Sequence, residues 1–118
     1  MKDLLEAALK TLDENVQYGN VRNRVDALPL LNYTMFCRRK SESNSGHTVL
    51  STYWEVSVVR ENAVDKAELL QYLEVLAGIP GLKISNEPIE YACQYLDGAK
   101  YQLEAASITC VETEKRRI

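Results

Sequence analysis

With 118 residues, 46% of them hydrophobic, the chain holds enough apolar material for one core and reads as a single domain over residues 1–118. A formal charge of −3 and a sequence pI near 5.2 argue against a dedicated nucleic-acid binder, which needs a basic face to neutralise several phosphates. No apolar run approaches the ~20 residues that span a bilayer, which argues against a membrane protein.

The first segment places Leu4, Leu5, Ala8, Leu9 and Leu12 at spacings of three and four, with Asp3, Glu6, Lys10 and Asp13 on the remaining arc. That pattern predicts a one-sided amphipathic helix, ended by Asn15, Tyr18, Gly19 and Asn20. Acids interrupt this segment and it lacks a small-residue cleavage site, so it does not read as a signal peptide. "NVRNRVDALP" follows as an extended connector broken by Pro29.

From Leu31 the period changes to two. Leu31, Tyr33, Met35 and Cys37 share the face expected to be apolar, and Asn32, Thr34, Arg38 and Lys40 the other, with Phe36 on the polar side. The next run, Thr48 to Arg60, sets Leu50, Thr52, Trp54, Val56 and Val58 against Ser51, Tyr53, Glu55 and Ser57, as a half-buried strand does. "SESNSGH" joins the two as a long hairpin connection carrying His47, the chain's one histidine.

A second helix is expected after Asp65 as N-cap, with Leu69, Leu70, Leu73, Val75 and Leu76 as its stripe, Gly78 as its stop and Pro80 beyond. "GLKIS" reads as a short strand and "EYACQYL" as another. Asp97-Gly98 reads as a hairpin turn into "KYQLEAASITCVET", where a phase shift predicts a bulge near Ala105 and Ala106. The expected order is α-β-β-α-β-β-β: an α+β two-layer sandwich, with a mainly antiparallel sheet of four to five strands and two helices on one face.

Catalytic chemistry finds little footing. His47 sits in a flexible stretch with no cysteine near it in sequence, and Cys37, Cys93 and Cys110 show no metal-ligand spacing. The cysteines, odd in number and each within a predicted strand, read as buried reduced thiols suited to a reducing cytoplasm. Glu61, Asp65, Glu68 and Glu74, and the pair Glu87 and Glu90 around Pro88, read as solvated acids, and no glycine-rich phosphate loop occurs. No enzyme, metal or cofactor is therefore expected. The basic clusters "RRK" and "EKRRI" read as solvated surface or as contacts for an acidic partner. Tyrosines at 33, 53, 91, 95 and 101, with Trp54, fit core and interface roles alike.

The succession of an N-terminal helix, "LPLLNYTMF", a polar loop, "STYWEVSVV" and "DKAELLQYLEVLAGIPGL" resembles the tail terminator, or head-to-tail joining, proteins of long-tailed bacteriophages and prophages. The matching parts run from about Leu28 to the end. They include Pro29 and Tyr33, the Tyr53–Val58 strand, the helix end at Leu76–Leu82 and the final hairpin. The resemblance implies a cytoplasmic assembly subunit, incorporated into the virion, that forms a ring, typically of six copies. It also implies a tail tube protein and a head connector protein as partners. Expected interaction residues are Arg38, Arg39, Lys40, Ser41, Glu42, Asn44, His47, Tyr53 and Glu55. The competing expectation is a small cytosolic ligand-sensing or regulatory α+β module that dimerises.

Overall fold

The computed structural model describes residues 1–19, 32–43, 49–96 and 101–115. Two helices, α1 (Lys2–Lys10) and α2 (Lys66–Ala77), accompany six strands: β1 (Val16–Tyr18), β2 (Tyr33–Ser43), β3 (Val49–Glu61), β4 (Leu82–Ile84), β5 (Glu90–Leu96) and β6 (Tyr101–Lys115). The sheet runs β1-β2-β3-β6-β4, and β5 also pairs with β6. One long strand thus serves two short neighbours on its outer side: β5 along Tyr101–Ser107 and β4 along Cys110–Glu112.

The fold is α+β, with differences from the expected order. A strand, β1, follows the first helix and pairs in parallel with β2, raising the count to six. Three residues are too few for alternation to announce a strand. No bulge interrupts β6 at Ala105 and Ala106, because its pairing with β3 holds one register throughout. The irregularity lies in β2, where Arg38 opposes Trp54 and Lys40 opposes Tyr53, so that Arg39 is the extra residue. Connector residues 20–31, with Pro29, and the expected turn at Asp97-Gly98 lie outside the described residues.

The core gathers on one face of the sheet. Phe36, Val56 and Ile108 oppose one another across β2, β3 and β6, flanked by Thr34, Val58 and Ala106 on one side and Trp54 and Cys110 on the other. Leu5 and Leu9 of α1 and Leu69, Tyr72 and Leu76 of α2 belong to the same buried cluster. Phe36, expected on the polar side, is 1% exposed, whereas Tyr33, Met35 and Cys37 are half-buried. The inversion comes from Thr34, a polar residue buried beside it with its hydroxyl satisfied.

That hydroxyl belongs to a closed polar ring. Thr34 donates to Asp13 Oδ2 at 2.9 Å, which leaves Tyr72 to donate to Thr34 Oγ1 at 2.6 Å. Arg60 completes the circle, donating to Tyr72 Oη at 3.1 Å and lying 3.1 Å from Asp13 Oδ2. It also donates through Nε to Glu68 at 2.7 Å and through one terminal nitrogen to the Tyr33 and Val59 carbonyls. Burial disfavours the Arg60 charge, but Tyr72 and Glu68 outweigh it and hold the guanidinium more firmly protonated than usual. The ring ties the end of α1 to β2, β3 and α2.

Helix α2 begins as expected, with Asp65 accepting from the Ala67 amide at 3.1 Å. Its buried stripe is Leu69, Tyr72 and Leu76, while Leu70 faces solvent. Gly78 keeps right-handed geometry; the left-handed turn into β4 falls at Gly81, with φ +82°. Of the cysteines, Cys110 alone is buried, Cys37 being half-buried and Cys93 exposed; the expectation of three buried thiols fails for those two.

Candidate functional site

Strand alternation sends Tyr53, Glu55 and Ser57 of β3 and Ser107, Thr109 and Val111 of β6 to the face opposite the helices. This outer face is partly covered by the segment between β4 and β5. Since those two strands occupy separate stretches of β6, the connecting residues pass the gap between them. Ser85 donates its amide to the Thr109 carbonyl at 2.8 Å and receives the Glu87 amide on its hydroxyl at 3.2 Å. Glu87 in turn meets Arg39 of β2 at 3.0 Å, an exposed ion pair that spans β3 and β6. The bulge in β2 brings Arg39 to that position.

Beside this bridge lies a groove of about 370 Å³, lined by Arg39, Glu55, Glu87, Pro88, Glu90, Ser107 and Thr109. Three carboxylates against one guanidinium give it a negative balance. Thr109, 8% exposed, also lines it. Ser107 shares a hydrogen bond of 3.1 Å with Ser57. Across Glu87, a second concavity of about 550 Å³ is lined by Tyr53, Lys83, Ile84, Ser85, Asn86 and Val111. Lys40 stands 4.8 Å from the centre of the Tyr53 ring and bonds Glu42 at 2.9 Å, which raises its pKa chiefly through that hydrogen bond. Burial, then the Glu55 carboxylate, raise the Cys37 thiol on the same face.

The expected interaction residues separate on this surface. Arg39 and Glu55 line the groove, and Tyr53 lines its neighbour. Lys40 and Glu42 pair with each other, Arg38 opposes Trp54, and Ser41 bonds Thr52 at 3.0 Å. Asn44 and His47 lie outside the described residues. Composition had marked Glu87 and Glu90 as a pair around Pro88, but nothing in sequence placed them opposite Arg39. Among the described residues no group of three or more His, Cys, Asp or Glu side chains is arranged to hold a metal ion, and no helix is long and apolar enough to cross a membrane.

A second surface lies at the sheet's margin. Among the described residues strand β5 has one strand neighbour, β6, and its residues from Tyr91 to Tyr95 are all exposed, Tyr91 at 51% and Tyr95 at 61%. Such a strand presents unpaired backbone groups along its free side.

No family model matches the chain, and no curated protein does. One solved structure, of a protein without a descriptive name, aligns with 100% of this chain and 99% of its own at 15% identity. Its TM-score of 0.42 is too low to bear on function.

Proposed function

We propose that this chain is a non-catalytic assembly subunit of a phage or prophage tail, a tail terminator or head-to-tail joining protein. It closes into a ring of six copies on the end of the tail tube and offers a surface to the head connector. Assembly takes place in the host cytoplasm, and the ring becomes part of the virion. The sequence resemblance supplies the type of assembly, and the observation that carries it is the free edge of β5, a seven-residue strand whose two tyrosines stand in solvent. Tyrosine buries a large area while keeping its hydroxyl wet, and an unpaired strand edge is a liability unless a neighbour covers it. A head-to-tail contact made through such an edge closes into a ring when its rotation permits.

Light scattering after size exclusion tests this directly. Six chains of 13.4 kDa make a species of about 80 kDa. A stable dimer would overturn the ring and favour the second reading, a ligand-sensing module, for which the outer-face groove of about 370 Å³ is the supporting feature. Ligand-dependent thermal stabilisation would identify that case.

A further inference from the structure

We infer that the free edge of β5 pairs antiparallel with the free edge of β1 in a second copy of this chain, so that the sheet runs on from subunit to subunit; this rests on the ring proposed above. The two strands stand at opposite margins of the sheet, and among the described residues each has one strand neighbour. Asn15 accepts from the Thr34 amide at 2.9 Å and Gly19 donates to the Phe36 carbonyl at 2.8 Å. Alternation along the ladder then turns the amides and carbonyls of Val16 and Tyr18 away from β2, where a further strand can meet them.

Charge, face and direction all select β1 as the strand that β5 meets. The other edges without an outer neighbour among the described residues are guarded against joining: β2 from Cys37 to Ser43 carries Arg38, Arg39, Lys40 and a bulge, and β4 has Lys83 at its centre. Val16–Tyr18 and Tyr91–Tyr95 hold no charged residue and no proline. Both margins also turn tyrosines to the helix side, since Tyr18 lies opposite Phe36 and Tyr91 opposite Ala106. Tyr18 is 45% exposed, and joining the edges sets it beside the exposed Tyr91 and Tyr95. Helix α1 lies over that margin, with Lys2 Nζ 4.2 Å from the centre of the Tyr18 ring. A neighbour's α1 therefore covers the stretch of β5 that its own helices leave exposed. Lys2 and, across from Cys93, Glu104 make no ion pair among the described residues, so the join brings opposite charges to the same side of the sheet. Direction follows from the ladder: β1 is parallel to β2, β2 and β6 are both antiparallel to β3, and β5 is antiparallel to β6. Rotation about an axis along the strands keeps their direction, so β5 meets the neighbour's β1 antiparallel with no subunit inverted. Each subunit then uses β5 towards one neighbour and β1 towards the other, a head-to-tail contact.

Two edge-blocked variants of the full chain test the contact by light scattering after size exclusion. One carries Tyr91→Lys and Tyr95→Lys, the other Gln17→Lys and Tyr18→Lys. Each alone should need at least about tenfold more protein to associate than the unaltered chain, because lysines deter strand joining. Mixed one to one, they keep one intact β5 and one intact β1 per pair, so the mixture should stop at two chains, about 27 kDa. Urea midpoints read folding separately, and if the β1 lysines lower theirs, Tyr18→Lys alone takes their place. Dimers of the β1 variant alone would mean that β5 pairs with β5, and the contact is then overturned. If that variant associates as the unaltered chain does, or the mixture stays at one chain, β1 is not the partner while the ring survives. If the unaltered chain itself forms no large species, the ring fails and takes the contact with it.

Discussion

Trp54 sits at 4% exposure on the helix-facing side of β3, opposite Cys110, and its indole Nε1 is buried with no partner among the described residues. Truncation to alanine should cost on the order of 3–5 kcal/mol in urea unfolding, because a large aromatic leaves a cavity behind. Trp54→Phe should cost less than half as much, since it keeps most of the apolar area and removes a donor whose isolation itself costs about 1–3 kcal/mol. A loss under about 1 kcal/mol for the alanine variant would place Trp54 outside the core. Its neighbour across the ladder sets a pH dependence. Burial pushes the Cys110 thiol up to about 11 from 9.0, so between those values the unfolded chain ionises this group and the folded chain does not. Its contribution to stability is complete below pH 9 and declines as pH rises towards 11, by about 2–3 kcal/mol at most. Unfolding measured at pH 8, 10 and 11 should show a shallower decline for Cys110→Ala. Tyr33 and Tyr72, whose phenols burial also raises above 10.0, add a decline of the same sign at higher pH in both proteins. Equal slopes for the two proteins up to pH 10 would refute the assignment to Cys110.

Among the described residues strand β5 pairs with β6 alone and contributes nothing to the buried cluster from Tyr91 to Tyr95, so lysines there should cost assembly without costing the fold. Tyr91→Lys with Tyr95→Lys should give a chain that unfolds at nearly the unaltered urea midpoint yet loses mass in light scattering, as charged edges deter strand pairing. Unchanged association would remove β5 from the interface. Both helices and the long strands β3 and β6 were legible because their apolar residues recur at one period over many turns or pairs. Strand β1 was not, having three residues, nor was the face of β2. Counting apolar positions favours Tyr33, Met35 and Cys37, but Thr34 is buried by the hydroxyl and carboxylate it meets from Tyr72 and Asp13, residues 38 and 21 positions away. The phase shift along β6 reflects burial on both sides of the sheet, where Val59 and Leu103 are covered opposite Val58 and Ala106, and not an inserted residue. Arg39 and Glu55 were marked from the sequence, but the groove joining them to Glu87 depends on a bulge in β2 and a register across three strands, which spacing cannot encode.

At the scale of the molecule, the Cα radius of gyration is 15.8 Å and the extents are 55 × 31 × 24 Å. A compact chain of this length has a radius near 13.5 Å, so the subunit is elongated. The elongation follows from strands of 11, 13 and 15 residues laid side by side, longer than the helices beneath them. Such a sheet overhangs its core: from Lys40 to Ser43, β2 is exposed and charged, although Ser41, Glu42 and Ser43 keep their pairing with Thr52, Ser51 and Leu50. An exposed overhang that lies outside the buried cluster gains from a neighbour that packs against it, which links shape to assembly. Small-angle scattering separates the two states. The Tyr91→Lys, Tyr95→Lys chain should scatter as an elongated 13.4 kDa particle with a radius of gyration near 16 Å, since the lysines leave the strand lengths unchanged. At equal mass concentration the unaltered chain should give about six times that forward intensity, with a central minimum in density characteristic of a ring. A filled, compact particle of the same mass would mean that the copies pack around a shared core, and closure by head-to-tail contact would then be wrong.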